Sequence, residues 1–231
     1  MKKVIEKLIK IFPKTYSEEL GINLKSKKSS EIFKWFLASI LFGARIGERI
    51  AKNTYRQFIK DDLTTPEKIL KKDWRGLVDS LDNGGYVRYD FSTADDLLEV
   101  MRVLLEKYEG DLNELYGRSK NQEDIEKMLD EFRGVGSTTI NIFLRELRGI
   151  WNVEPLPSRF SIFAAKNLNL IKSKNGKEAL KQLKKIWKRN RIKNKTFVNF
   201  ETALLRLGKD YCNKNKCNVC NLKKYCKVFK L

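Results

Sequence analysis

The chain has 231 residues, with 48 Lys and Arg against 29 Asp and Glu, and no histidine, which sets its formal net charge at +19. Without histidine there is no Ser-His-Asp or Cys-His nucleophile, no imidazole-ligated zinc or haem and no imidazole proton shuttle, so any chemistry falls to carboxylates, Lys, Tyr, Ser, Thr, Cys or a cofactor. The length accommodates one ordinary domain or two small ones, and 42% hydrophobic with 11% aromatic residues is enough for a core.

In chain order, residues 1–12 place Val4, Leu8, Ile11 and Phe12 on one helical face between lysines. The segment lacks the uninterrupted apolar run of a signal peptide or membrane helix, so a soluble cytoplasmic protein without a membrane partner is expected. Residues 33–58 open with apolar side chains nearly all round (Phe33, Trp35, Phe36, Leu37, Ile40, Leu41, Phe42), which predicts a central buried helix. Further helices are predicted over 66–71, 74–81, 92–108, 121–132, 137–147, 158–168, 177–189 and 196–210, with Ser92 or Thr93 capping the third of these. Period-two patterns are scarce, so the fold class is all-α. Composition breaks most sharply at 149–157, where Trp151, Pro155 and Pro157 interrupt helical periodicity.

Charge changes at the same place. Residues 1–150 hold 27 basic and 25 acidic side chains, whereas residues 151–231 hold 21 and 4. An excess confined to one segment is the signature of a polyanion partner, nucleic acid being the most frequent, with an anionic membrane or protein surface as the alternative.

Three motifs carry chemistry. Cys212, Cys217, Cys220 and Cys226 are separated by four, two and five intervening residues near the end of the sequence. Clustering of this kind in a chain with no other cysteine points to a metal site, and four thiolates suit either tetrahedral zinc or an iron–sulfur cluster. Second, Gly134-Val135-Gly136-Ser137-Thr138-Thr139 lies between two predicted helices. A tight Gly-Val-Gly turn there aims backbone amides outward at a helix start, where they can hold a phosphate without reading sequence; a plain helix–helix turn is the alternative. Third, Asn83-Gly84-Gly85-Tyr86-Val87-Arg88-Tyr89-Asp90 joins two glycines to stacking and bidentate groups suited to a base or an abasic gap, or is an ordinary turn with core tyrosines.

In their order, these motifs resemble the helix-hairpin-helix DNA glycosylase superfamily, specifically the iron–sulfur branch of endonuclease III and the adenine glycosylases, over most of the chain. The resemblance implies two helical domains: a core over 32–147 ending in the hairpin, and a second domain of 1–31 with 148–231 that ends in a cluster loop at 212–226. It implies a four-iron four-sulfur cluster on Cys212, Cys217, Cys220 and Cys226, with zinc as the alternative. The first gap is two residues shorter than the family's usual six, and Lys214 and Lys216 fall in this shortened DNA-contacting loop. Double-stranded DNA, damaged or with a flipped nucleotide, is the implied partner, bound by a monomer at the nucleoid.

The family's catalytic pair is missing. Thr138 stands where bifunctional members carry Lys, and Pro157 stands where the family's Asp is expected. The usual base-filling Gln is absent from the stretch Phe42 to Arg45. An oxocarbenium-like transition state needs negative charge nearby, and Glu154, three residues upstream of Pro157, is the nearest substitute. Arg45, Tyr86, Arg88 and Tyr89 are candidates for the base pocket, and Lys166 for a phosphate contact. The readings that follow are a non-standard DNA N-glycosylase or abasic-site enzyme, a catalytically silent relative that binds damaged duplex, and a zinc-containing nucleic-acid-binding module.

Overall fold

In a computed structural model that describes residues 1–229, the chain is all-α. The helices are α1 (Lys2–Ile11), α2 (Tyr16–Glu19), α3 (Ser29–Gly43), α4 (Glu48–Lys60), α5 (Pro66–Lys71), α6 (Asp73–Asn83), α7 (Asp90–Tyr108), α8 (Leu112–Arg118), α9 (Gln122–Asp130), α10 (Ser137–Glu146), α11 (Arg159–Asn167), α12 (Gly176–Arg189) and α13 (Phe197–Asp210). Among the described residues no helix is long and apolar enough to cross a membrane.

The chain divides into two compact units, Leu20–Pro155 on one hand and Met1–Glu19 with Leu156 onward on the other. The sequence expectation set its domain boundaries at 31/32 and 147/148. Two contacts account for the longer first unit. Leu24 is buried in a 3-10 turn that packs on α3. Trp151 stacks on Tyr116 at 4.7 Å, lies edge-on to Phe143 at 5.5 Å, and donates its indole N–H to Asn113 Oδ1 at 3.3 Å.

In the unit Leu20–Pro155 the core is α3. Ile32, Trp35, Phe36, Leu37 and Leu41 are all fully buried, and Phe36 meets Phe143 of α10 at 5.2 Å and Phe132 at 5.6 Å. The Trp35 indole donates to the Phe143 carbonyl at 3.0 Å, so the buried polar atom is satisfied. The single helix expected over 33–58 is two. Gly43 and Gly47 bracket a break, with Ala44 extended at the end of α3 and Gly47 extended before α4. Glycine disfavours a helix interior, and α10 passes so near that a β-carbon on Gly43 would lie 2.0 Å from Thr139 Oγ1. Pro66 follows the capping residue Thr65 at the start of α5, as its fixed φ and missing N–H favour. Helix α7 starts at Asp90, two residues ahead of expectation, and neither Ser92 nor Thr93 caps it. Tyr89 enters the helix in the left-handed region at φ 67°, Ser92 Oγ donates back to the Tyr89 carbonyl, and Thr93 Oγ1 donates to the Tyr86 hydroxyl at 3.0 Å.

In the other unit, α13 is the spine, buried from Val198 to Gly208. Around it pack Val4, Ile5, Leu8 and Ile9 of α1, Ala164 and Ala165 of α11, and Ala179, Leu183 and Trp187 of α12. Ile11 and Phe12 pack partly buried against the same core. Trp187 stacks on Phe200 at 5.6 Å, near-parallel.

Candidate nucleic-acid interface and thiol site

The hairpin joins α9 to α10. Asn121 caps α9 by accepting the Asp124 N–H at 3.0 Å, and the turn closes where the Val135 N–H donates to the Phe132 carbonyl at 3.0 Å. Val135 is sunk into the core at 3% exposure, while Gly134, Gly136, Ser137 and Thr138 are exposed. Gly134 has φ +75°, and a β-carbon there would press on Asp96, whose carboxylate holds Arg133 at 2.8 Å. Gly136 precedes α10 without a side-chain cap. The first-turn amides of Ser137, Thr138 and Thr139 therefore have no acceptor within the helix, at its positive end. The Thr139 side chain is turned inward, buried against Gly43; its amide, not its hydroxyl, belongs to the exposed turn.

The other candidates of this unit are dispersed. Arg45 is exposed in the link between α3 and α4. Tyr86 does not reach the surface. It is 3% exposed, its hydroxyl is engaged by Thr93, and burial pushes its pKa up. Tyr89 is exposed, with the Arg88 guanidinium 4.8 Å over its ring. Sequence reasoning missed a neighbouring exposed aromatic pair, Trp74 and Phe91, whose rings lie 5.3 Å apart. The two come from segments that no local pattern connects. Glu154 is half-exposed, with Oε2 3.8 Å from Nε of the buried Arg148. Burial brings the Arg148 guanidinium down to about 10; Glu154 works against that shift and Arg145 with it. Arg148 also donates to the Pro155 carbonyl.

In the unit of α1 and α11 to α13, Pro157 is buried and Ser158 caps α11, accepting the Ser161 N–H at 3.1 Å. Cys212, Cys217, Cys220 and Cys226 are free, half-buried, and line one cavity of about 60 Å³ together with Phe163, Asn167 and Tyr211. Burial pushes the Cys212 thiol up to about 11; a hydrogen bond with Asn167 opposes this, and the other three cysteines add to it. Burial likewise raises Cys220. No three His, Cys, Asp or Glu side chains among the described residues come close enough to hold a single metal ion. Lys214 and Lys216 are exposed on the loop between the first two cysteines. Next to the cavity, the Lys227 N–H donates to the Asn167 carbonyl at 2.8 Å. Partial burial, then Lys174 and Lys227, hold the Lys166 ammonium below its ordinary value. This convergence of three lysines was only partly visible in the sequence, because it needs the fold to bring 166, 174 and 227 together.

Neither a protein-family model nor a curated protein sequence matches the chain. Solved structures do. A non-covalent complex of endonuclease III with DNA aligns over 96% of this chain and 92% of its own, with 16% identity and a TM-score of 0.59. A thermostable thymine-DNA glycosylase aligns over 99% and 96%, with 15% identity and a TM-score of 0.58. The 3-methyladenine DNA glycosylase MagIII of H. pylori, bound to 1,N6-ethenoadenine, aligns over 93% and 97%, with 12% identity and a TM-score of 0.55. Identities this low speak to architecture alone, and by architecture the chain has the fold of the helix-hairpin-helix DNA glycosylases.

Proposed function

We propose that this protein binds duplex DNA distorted by a damaged or extruded nucleotide. The observation that carries the reading is the turn between α9 and α10: Val135 is buried as a plug while Gly134 and Gly136 stay exposed beside the uncapped start of α10. That arrangement presents several amides to one phosphate and reads no base, which suits a protein that positions itself on the backbone and finds its target by distortion. Arg88 and Tyr89, with Arg45, are the exposed groups available to an extruded nucleotide or the gap it leaves. The structural neighbours include endonuclease III in complex with DNA.

We assign the four cysteines to a four-iron four-sulfur cluster, with zinc as the alternative occupant. Here the four thiols line one common cavity, and four cysteine thiolates are the donor set that such a cluster takes. Burial, which raises Cys212 and Cys220, disfavours their free thiolates, and a bound positive centre offsets that cost. When bound, a cluster supplies the cross-links that hold this loop, from which Lys214 and Lys216 meet phosphate.

A second reading, base excision at Glu154, rests on the Arg148 contact, which fixes a carboxylate at the end of the segment before Pro157. The decisive experiment offers duplexes carrying an abasic site, uracil, an oxidised pyrimidine or an alkylated purine. Tighter binding to one of these than to undamaged duplex is expected, and equal affinity for all overturns the proposal. Strand or base cleavage lost in Glu154→Gln assigns the acid. Cleavage unaffected by that change removes Glu154, and selective binding without cleavage marks a silent relative.

A further inference from the structure

Part of the basic excess of the second half of the chain is gathered on one face of α12. Helix α12 turns Ala179, Leu180, Leu183, Ile186 and Trp187 inward. On a helical wheel its exposed Lys177, Lys181, Lys184, Lys185 and Lys188 fall within an arc of about 100° on the opposite side, in a stripe roughly 17 Å long. Lysines three and four residues apart on one helix face repel each other. The one acid of the helix, Glu178, sits at its first turn, where it accepts from Gln182.

The stripe also has a direction. The segment that leads into it is held to its middle, where Lys172 N–H donates to Gln182 Oε1 at 3.1 Å, and it points towards the thiol loop, since Lys166 lies near both Lys174 of that segment and Lys227, the residue after Cys226. The far end of the stripe is set by Trp187 on Phe200, near the start of α13, whereas the thiol loop follows the end of α13, about 15 Å away along the axis.

We propose that the α12 lysine stripe is a second DNA-binding surface, continuous with the thiol loop, which holds the phosphate backbone of duplex flanking the distorted site. The stripe is long enough to follow several successive phosphates, and its charge is complementary to that of a duplex, which carries one charge per about 1.7 Å of axis. The inference rests on the reading of DNA as partner but not on any lesion.

The test measures affinity for an undamaged duplex of about 40 base pairs across a salt series, comparing the native chain with the set Lys177→Gln, Lys181→Gln, Lys185→Gln and Lys188→Gln. Each phosphate contact contributes about 0.9 to the slope of log affinity against log salt, so losing about three contacts lowers the slope by roughly 2.7 and weakens binding at least about tenfold at low salt. The same four positions changed to Arg keep the slope. Because Gln removes like-charge repulsion, the melting temperature of the Gln set does not fall, which separates the effect from misfolding. An unchanged slope overturns the inference. So does a Gln set that keeps its DNA slope but loses binding to phosphatidylserine vesicles, which assigns the stripe to a lipid surface. Failure of the lesion reading would show instead as equal affinity for damaged and undamaged duplex, whatever the slopes.

Discussion

At Gly208, α13 comes so close to α11 that a β-carbon would lie 2.0 Å from the Phe160 carbonyl oxygen. Backbone cannot step aside as a side chain can, so Gly208→Ala is expected to cost about 3 kcal/mol, read as a drop of roughly 10 °C in melting temperature. Gly136 is the opposite case. A β-carbon there meets nothing within 4 Å, so Gly136→Ala should cost about 1 kcal/mol of helix start. Duplex affinity should nevertheless fall about tenfold by the same salt titration, because the methyl shields the turn's amides. Asp61 predicts a pH dependence. Burial raises its pKa, but hydrogen bonds from Ser80 at 2.7 Å and Gln57 at 2.9 Å, with Lys72 and Lys60 nearby, bring it below the ordinary carboxylate value. A carboxyl lowered on folding contributes stability that is present above its unfolded value and lost as pH falls through the folded one. Urea midpoints between about pH 2 and 5 should therefore decline more steeply in the native chain than in Asp61→Asn.

Between residues and whole units, the helices differ in how openly the sequence announces them. The α9–turn–α10 element was legible because helical periodicity on either side agrees with two glycines spaced for a turn, and the structure adds a further local signal, the Asn121 cap of α9. Removing one signal should be measurable, with Asn121→Ala lowering stability by about 1 kcal/mol in urea unfolding. The break between α3 and α4 was hidden because buried side chains surround the first helix, and an all-round apolar run has no phase from which an interruption could be read. Helix α8 was missed because its seven residues, beginning two positions after Gly110 and containing Gly117, are too few to set a period. At the candidate site, exposure decided what pattern could not. Tyr86 and Tyr89 are three residues apart in one loop, yet Thr93 offers Tyr86 a buried hydroxyl partner while the left-handed turn at 89 throws the second ring outward. Thr138 and Thr139 part in the same way, one to solvent and one against Gly43. No one-dimensional signal separates such neighbours.

The molecule as a whole has two cores, and the four cysteines belong to only one of them. Loss of the proposed cluster should therefore act on half of the protein. In Cys217→Ser, iron and acid-labile sulfide per chain are expected to drop towards zero, and calorimetry should show one melting transition displaced downward while the other keeps its position. Two transitions falling together would show that the loop supports both units. The interleaving of the units has a consequence for synthesis. Helix α1 leaves the ribosome ahead of the rest of its unit, with Ile5 and Leu8 destined for complete burial, but the helices that cover them begin only after residue 155. At 5–20 residues per second, on the order of ten seconds or more pass in which the intervening unit can fold while that greasy strip waits without its partners. A nascent chain stalled near residue 155 would carry a finished domain and an orphaned helix, and such a chain is the natural client of a holdase chaperone.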